Sequence, residues 1–384
     1  MYKTSTAVIG MFRLVGQLLQ SNSDLGMILQ TLFSLSFIIY LFYAQRIQAM
    51  SMLRQVEGTL RKVKALRDKG RSVSIETINE VGRPENDPTK DVDRFMEHFL
   101  IPPVDLDPAG IVGKLGQLLN VRENTFEDEV RAMAPHASDS EVNNLENLLE
   151  ASLALNVYYK VIRHFYLLGK KTMNIYVIMQ IHMILPMIVR EIEAYSAALQ
   201  AFKNGMPIGD SVGPLVAAKM MHGHEYEEVA REMVAAEVPY AGRTLIVTKA
   251  KGPGGSVGKP GDAIESLINK RAEGKKVNAV IMVDAAGKLE GEETGGVAEG
   301  VGAAIGGIGV EKYKIEEAVK AHDIPLYAVA IKQDISHVVA PMVEELFKAT
   351  DRAVEVVKNL VEEKTKEGDV VIVAGIGNTV GIGQ

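Results

Sequence analysis

The sequence predicts an α/β protein. A mostly parallel sheet with helices on both faces forms its C-terminal part, preceded by a helical module and an N-terminal transmembrane helix. Three observations carry this reading. Beyond residue 205, short apolar runs such as Val277–Val283 and Val370–Ala374 alternate with helical periodicity, as strands covered on both faces do. Between about 90 and 170 the apolar residues recur at helical spacing. Residues 26–43 carry no charge and are largely apolar, near the shortest length that crosses a bilayer.

Residues 1–25 form an N-terminal segment bearing Lys3 and Arg13, and residues 26–45 are the expected anchor. Tyr40 and Tyr43 suit a membrane interface, whereas Gln30, Ser34 and Ser36 keep a buried core helix as the alternative. Residues 46–72 read as a basic amphipathic stalk. Arg46, Arg54, Arg61, Lys62, Lys64, Arg67, Lys69 and Arg71 stand there against Glu57 and Asp68, and this excess places everything after residue 45 in the cytoplasm. Ile47, Met50, Leu53, Val56, Leu60, Val63 and Leu66 lie three or four apart. Such a stripe fits a coiled-coil seam that makes a homo-oligomer, a helix lying on anionic lipid, or a face packed on its own domain.

Residues 73–204 form the helical module. Gly82-Arg-Pro84, Asn86-Asp-Pro88 and Ile101-Pro-Pro-Val104 punctuate its start, and Ser138-Asp-Ser-Glu141 opens a helix. A second apolar run, Met173–Val189, is interrupted by Gln180, His182 and Pro186, so a buried bundle helix is expected in preference to a second span. His182 reads as a hydrogen-bonded core residue. In the α/β domain, 205–384, strands are expected at 244–248, 277–283, 325–331 and 369–374, with helices at 212–221, 261–272, 312–321 and 338–363.

The bulk numbers exclude several functions. A net charge of −7 argues against nucleic-acid partners, and the absence of Cys removes thiolate catalysis and thiolate metal sites. The loop Lys251–Pro260 fails as a P-loop, because Pro253 and Pro260 stand where Gly and a hydroxyl residue are needed. Gly375–Gly383 is glycine-rich but no helix can follow it as a dinucleotide fold requires. No cofactor is therefore expected. His222 and His224 lack a third ligand in sequence, so no metal is expected either.

Two acids stand out. Asp210 lies in a Gly-rich turn that opens an apolar helix, and Asp284 ends an apolar strand. Each alone is explained as a cap or a turn residue, but together at neighbouring strand ends they make a candidate carboxylate dyad. Glu292, Glu293 and Glu299 read as solvent-facing loop acids.

Gly209-Asp-Ser-Val-Gly-Pro-Leu-Val216 resembles the Asp-x-x-Gly-Pro-Leu-Val segment of the spore germination protease and related sporulation proteins. The resemblance runs on through Gly254-Gly-Ser-Val-Gly258, Val280-Ile-Met-Val-Asp-Ala-Ala286, Gly302–Gly309 and Asp323-Ile-Pro-Leu-Tyr-Ala-Val-Ala330, covering about 205–335. It implies that Asp210 and Asp284 are catalytic. Hydrogenase maturation endopeptidases share that fold and add a His for nickel, but no His follows Asp284 at the corresponding place. In the protease family a strand ending Gly-x-Gly-Asn precedes the Asp turn. Here Val370–Asn378 carries that pattern at the C-terminus, which implies a circular permutation with this strand inside the sheet, parallel to 279–283. The whole chain also resembles an archaeal family of membrane-anchored proteins of unassigned function.

The reading that follows is a membrane-anchored, cytoplasmic, peptidase-like hydrolase. Asp210 and Asp284 act on a peptide or protein substrate, bound by Gly209, Gly213, Gly254, Gly255, Gly295, Gly296 and Asn378. The alternative is a catalytically inert, anchored oligomeric scaffold or binding protein of the same fold; a nucleotide or small-molecule sensor is a third.

Overall fold

A computed structural model describes residues 24–104, 110–272, 276–307 and 309–384, so the expected segment 1–25 lies almost wholly outside the described residues. The chain packs as two units, one comprising residues up to Arg61 with Val161–Pro186, the other Lys62–Lys160 with Met187–Gln384.

In the first unit, the expected anchor and stalk belong to one helix, α1 (Asp24–Thr77), which no proline interrupts and which continues into the second unit. Ala49 and Leu53 of α1 bury against Ile178. Gly169 lets them close, since a Cβ there would stand 2.8 Å from Ile178. His182 pairs with Gln55 at 2.6 Å, so it is hydrogen-bonded as expected, though only half-buried. Large apolar side chains along its start, among them Met27, Leu32, Phe33, Phe37, Leu41 and Tyr43, are exposed.

Helices α2 (Thr89–Phe95), α3 (Ile111–Met133), α4 (Asp139–Thr172) and α5 (Ile175–Asn204) follow. Ser138 and Glu141 cap α4 reciprocally, Ser138 N–H and Oγ both donating to the Glu141 carboxylate at 2.7 Å. One expectation changes here. Of the stalk stripe, Leu53, Val56 and Val63 are buried within the chain, Leu60 and Leu66 are half-buried, and Ile47 and Met50 stay exposed, so part of it packs on its own protein, one of the three alternatives. The most apolar window of α5 is only 22% buried, because Tyr176, Met179, Met183 and Met187 face outward opposite Ile178, Ile181 and Leu185. The expected buried bundle helix is therefore corrected to a largely exposed apolar one. Among the described residues α5 is long and apolar enough to cross a membrane. Gly26–Leu41 passes the same test only when joined to Tyr43–Gly82 across a 48° bend.

The second unit holds a seven-stranded mixed sheet in the order β1-β2-β3-β7-β4-β6-β5. Its strands are β1 (Tyr226–Ala230), β2 (Met233–Tyr240), β3 (Arg243–Ala250), β4 (Val277–Gly287), β5 (Val297–Val301), β6 (Leu326–Gln333) and β7 (Val370–Gly375). The four central strands β3, β7, β4 and β6 are mutually parallel, whereas β1, β2 and β5 pair antiparallel at the edges. The expectation of a mostly parallel sheet holds for the centre alone. Strands β1 and β2 escape sequence reading because 226–238 is rich in Glu and Ala, which favour helices, and tertiary pairing overrides that preference. Ala241 and Gly242, at φ 46° and 74°, close the β2–β3 hairpin in the doubly left-handed turn that strand twist favours.

Strand β7 lies between β3 and β4, parallel to both and buried along its whole length, as its unbroken apolar run predicts. Helices α6 (Val212–Met221) and α10 (Glu344–Lys364) cover one face of the sheet, and α7 (Pro260–Ala272) and α8 (Val310–Ala321) cover the other. The helix expected over 338–363 is split into a short turn α9 (Ile335–Val338) and α10, with Pro341 in the break, where its ring nitrogen has no hydrogen to give.

Candidate functional site

The site sits at the C-terminal ends of the parallel strands, where α/β sheets place ligands. β4 carries Asp284 and β6 ends on Gln333; β7 runs out into Ile376, Gly377 and Asn378. The turn Gly209–Ser211 brings in Asp210 just before α6. This turn is pressed against its neighbours. A Cβ at Gly213 would stand 2.2 Å from the Ile376 carbonyl and 2.4 Å from that of Val283, and one at Gly377 (φ 129°) 2.0 Å from the Asp210 carbonyl. Both positions require glycine, since backbone cannot yield that far.

Asp210, Asp284 and Gln333 line one cavity of about 530 Å³ together with Gly306, Gly377, Lys259 and Lys314. Asp210 Oδ2 accepts the Asn378 backbone N–H at 2.7 Å, and Asp284 Oδ1 accepts that of Ala285 at 2.7 Å. Burial raises the pKa of Asp210 against the pull of the Asn378 hydrogen bond. Burial, and then the charge of Asp210, push Asp284 up to about 8, opposed by the Ala285 and Gly306 amides. A pair arranged in this way holds a proton at neutral pH. The cations on the rim do not relieve it: Lys259 is paired with Glu123 at 2.5 Å, and Lys314 with Asp262 at 2.6 Å and Glu311 at 3.0 Å.

A second cavity of about 250 Å³ lies across the 257–259 loop, lined by Asn143, Glu146, Asn147, Gly255 and Asn378 among others. Glu146 is lifted to about 8 by burial first, then by Glu127, Glu232 and Glu150. Asn378 joins the two cavities: its backbone N–H holds Asp210 while its Nδ2 donates to Asn147 Oδ1 of α4 at 2.9 Å.

The expected glycines divide by place. Gly209 and Gly213 shape the Asp210 turn without lining the cavity. Gly255 lines the second cavity, its N–H donating to Asn144 at 2.9 Å, and Gly254 packs against Ser140 of α4. Gly295 and Gly296 pair with Lys332 near the sheet edge and line neither cavity. His222 and His224 are exposed, outside both. Among the described residues no group of three or more His, Asp or Glu is placed to hold a metal ion. Sequence reasoning missed Gln333, whose only signal is a polar residue closing an apolar strand.

Residues 30–205 match the model of the N-terminal domain of DUF1512, a protein family of unknown function, and residues 208–383 match that of its C-terminal domain. The chain is a DUF1512 protein. The junction at 205–208 falls at the start of the Asp210 turn. No curated protein and no solved structure matches the chain.

Proposed function

We propose that this DUF1512 protein is a peptidase-like hydrolase, anchored to the membrane through residues 26–45, with its α/β domain in the cytoplasm. One observation carries the reading: a half-buried acid, Asp210, and a buried one, Asp284, neither paired with a cation among the described residues, line a single cavity at the ends of the parallel strands, and the field of Asp210 raises the pKa of Asp284. Of two close carboxylates, one ionises readily and the other keeps its proton. The ionised member takes a proton from water as it attacks the peptide carbonyl, and the protonated member donates to the carbonyl oxygen. The Gly306 and Gly377 backbone lines the same cavity. The resemblance to the spore germination protease supports the same two residues, with β7 filling the place of that family's leading strand.

The test compares wild type with Asp210→Asn and Asp284→Asn on a proteome-derived peptide library, read by mass spectrometry. Cleavage lost in both variants, with folding intact, is expected. Cleavage that persists in either variant refutes the assignment. No cleavage by wild type leaves the scaffold alternative.

A further inference from the structure

The cavity that holds Asp210 and Asp284 is not walled by the sheet alone. Helix α3 supplies one side of it with Gly116, Leu119, Asn120 and Glu123. A groove of about 520 Å³ lies between α3 and α8, and it shares Gly116, Asn120, Val310 and Lys314 with the acid cavity. These four residues stand where the two spaces adjoin. α3 belongs to the N-terminal family domain and α8 to the C-terminal one, so the groove beside the acids runs between the two domains.

The groove is open to solvent. Gln117 and Asn120 are both exposed, three residues apart and so neighbours on one face of α3. The Asn120 carboxamide makes no hydrogen bond among the described residues. Gly113 lines the groove and not the acid cavity, and a Cβ there would meet nothing within 4 Å. At Gly116 a Cβ would stand 3.3 Å from Val310 Cγ1. Room for a side chain is therefore closed at the junction and free at Gly113.

What fits follows from the lining. Val112, Val121 and Tyr313 offer apolar and aromatic contact, and Gln117 and Asn120 offer polar groups without charge. Among the described residues Lys314 is the one charge in the groove, and it is spent on Asp262 and Glu311. An ion finds no free partner there, whereas uncharged side chains and peptide groups find both apolar surface and carboxamides. Each space alone has the size of a small-ligand site, so two side by side suit a chain longer than a small molecule. We propose that the α3–α8 groove is the substrate-binding cleft of the acid site. It holds the uncharged stretch of an unstructured polypeptide flanking the scissile bond, and Asn120 bonds that stretch's backbone. This rests on the hydrolase reading and adds to it a sequence preference and a role for the N-terminal domain.

The experiment uses the full chain in detergent micelles. The probe is an N-acetylated, C-amidated peptide of Ala, Ser and Val with a photoreactive p-benzoylphenylalanine at its centre, and its adducts are mapped by mass spectrometry. Saturable adducts on α3 and α8 are expected, displaced by the same peptide without the benzoyl group and not by one rich in Lys and Glu. Two variants are then assayed on the best-cleaved library peptide. Gly113→Leu fills the groove without entering the acid cavity and suits a helix better than glycine, so KM should rise about 10-fold or more with Tm maintained. Asn120→Ala removes an exposed side chain and should raise KM about 3–10-fold with kcat nearly unchanged; it reads the same contact if Gly113→Leu fails to fold. Adducts in the groove without any cleavage sustain the inference and remove the hydrolase reading. Cleavage with KM unaltered in both variants, adducts mapped away from α3 and α8, or equal displacement by the charged peptide overturns the inference and leaves that reading standing. The absence of both adducts and cleavage removes both.

Discussion

Replacing Asp284 by Asn should make the protein less sensitive to rising pH. Asp284 is 8% exposed, and its pKa is raised from 3.8 to about 8. A carboxyl whose folded pKa exceeds its unfolded value binds more protons when folded, so stability falls as pH rises from the unfolded value through the folded one. At one pKa unit for about 1.4 kcal/mol, the native state of wild type loses roughly 3–4 kcal/mol from this group between about pH 5 and pH 8. The amide keeps an oxygen for the Ala285 and Gly306 N–H groups while removing the titration. Urea unfolding of wild type and Asp284→Asn at matched pH values measures the difference, which cancels the pH dependence of other groups except Asp210. The variant is expected to gain about 3–4 kcal/mol on wild type over that interval. A gain below about 1 kcal/mol would refute the claim that this carboxyl is buried beside Asp210.

Three further outcomes follow from the same contacts. Gly213→Ala is expected to destabilise by at least about 3 kcal/mol in urea unfolding, because its Cβ meets two carbonyl oxygens, whereas Gly296→Ala, with 3.3 Å to its nearest neighbour, should cost much less. Deleting residues 369–384 should abolish cooperative unfolding, since β7 is the central strand; a folded, soluble truncation would contradict the sheet order. The chain has no Cys, so single cysteines at exposed positions such as His224 report topology cleanly: labelling by an impermeant maleimide in sealed inverted vesicles, but not in intact cells, is expected.

Much of this protein was written locally. The run Val370–Ala374 has no polar alternation, so it had to be a strand covered on both faces, and a buried strand beside Val277–Val283 followed from two such runs. The glycines around Asp210 marked a turn where backbones touch, because only glycine survives an approach of 2.0–2.4 Å. Tertiary structure decided what no local pattern encodes. It made edge strands of the Glu- and Ala-rich residues 226–238, since pairing energy outweighs a helical preference of a few tenths of a kcal/mol per residue, roughly. It consumed the stalk stripe at Leu53, Val56 and Val63 within the chain, a choice between equal apolar faces that spacing cannot make. It also set Gln333, fully buried with its carboxamide unpartnered, into the wall of the cavity holding both acids. Burial depends on neighbours distant in sequence, and hydrogen-bond satisfaction depends on all of them together.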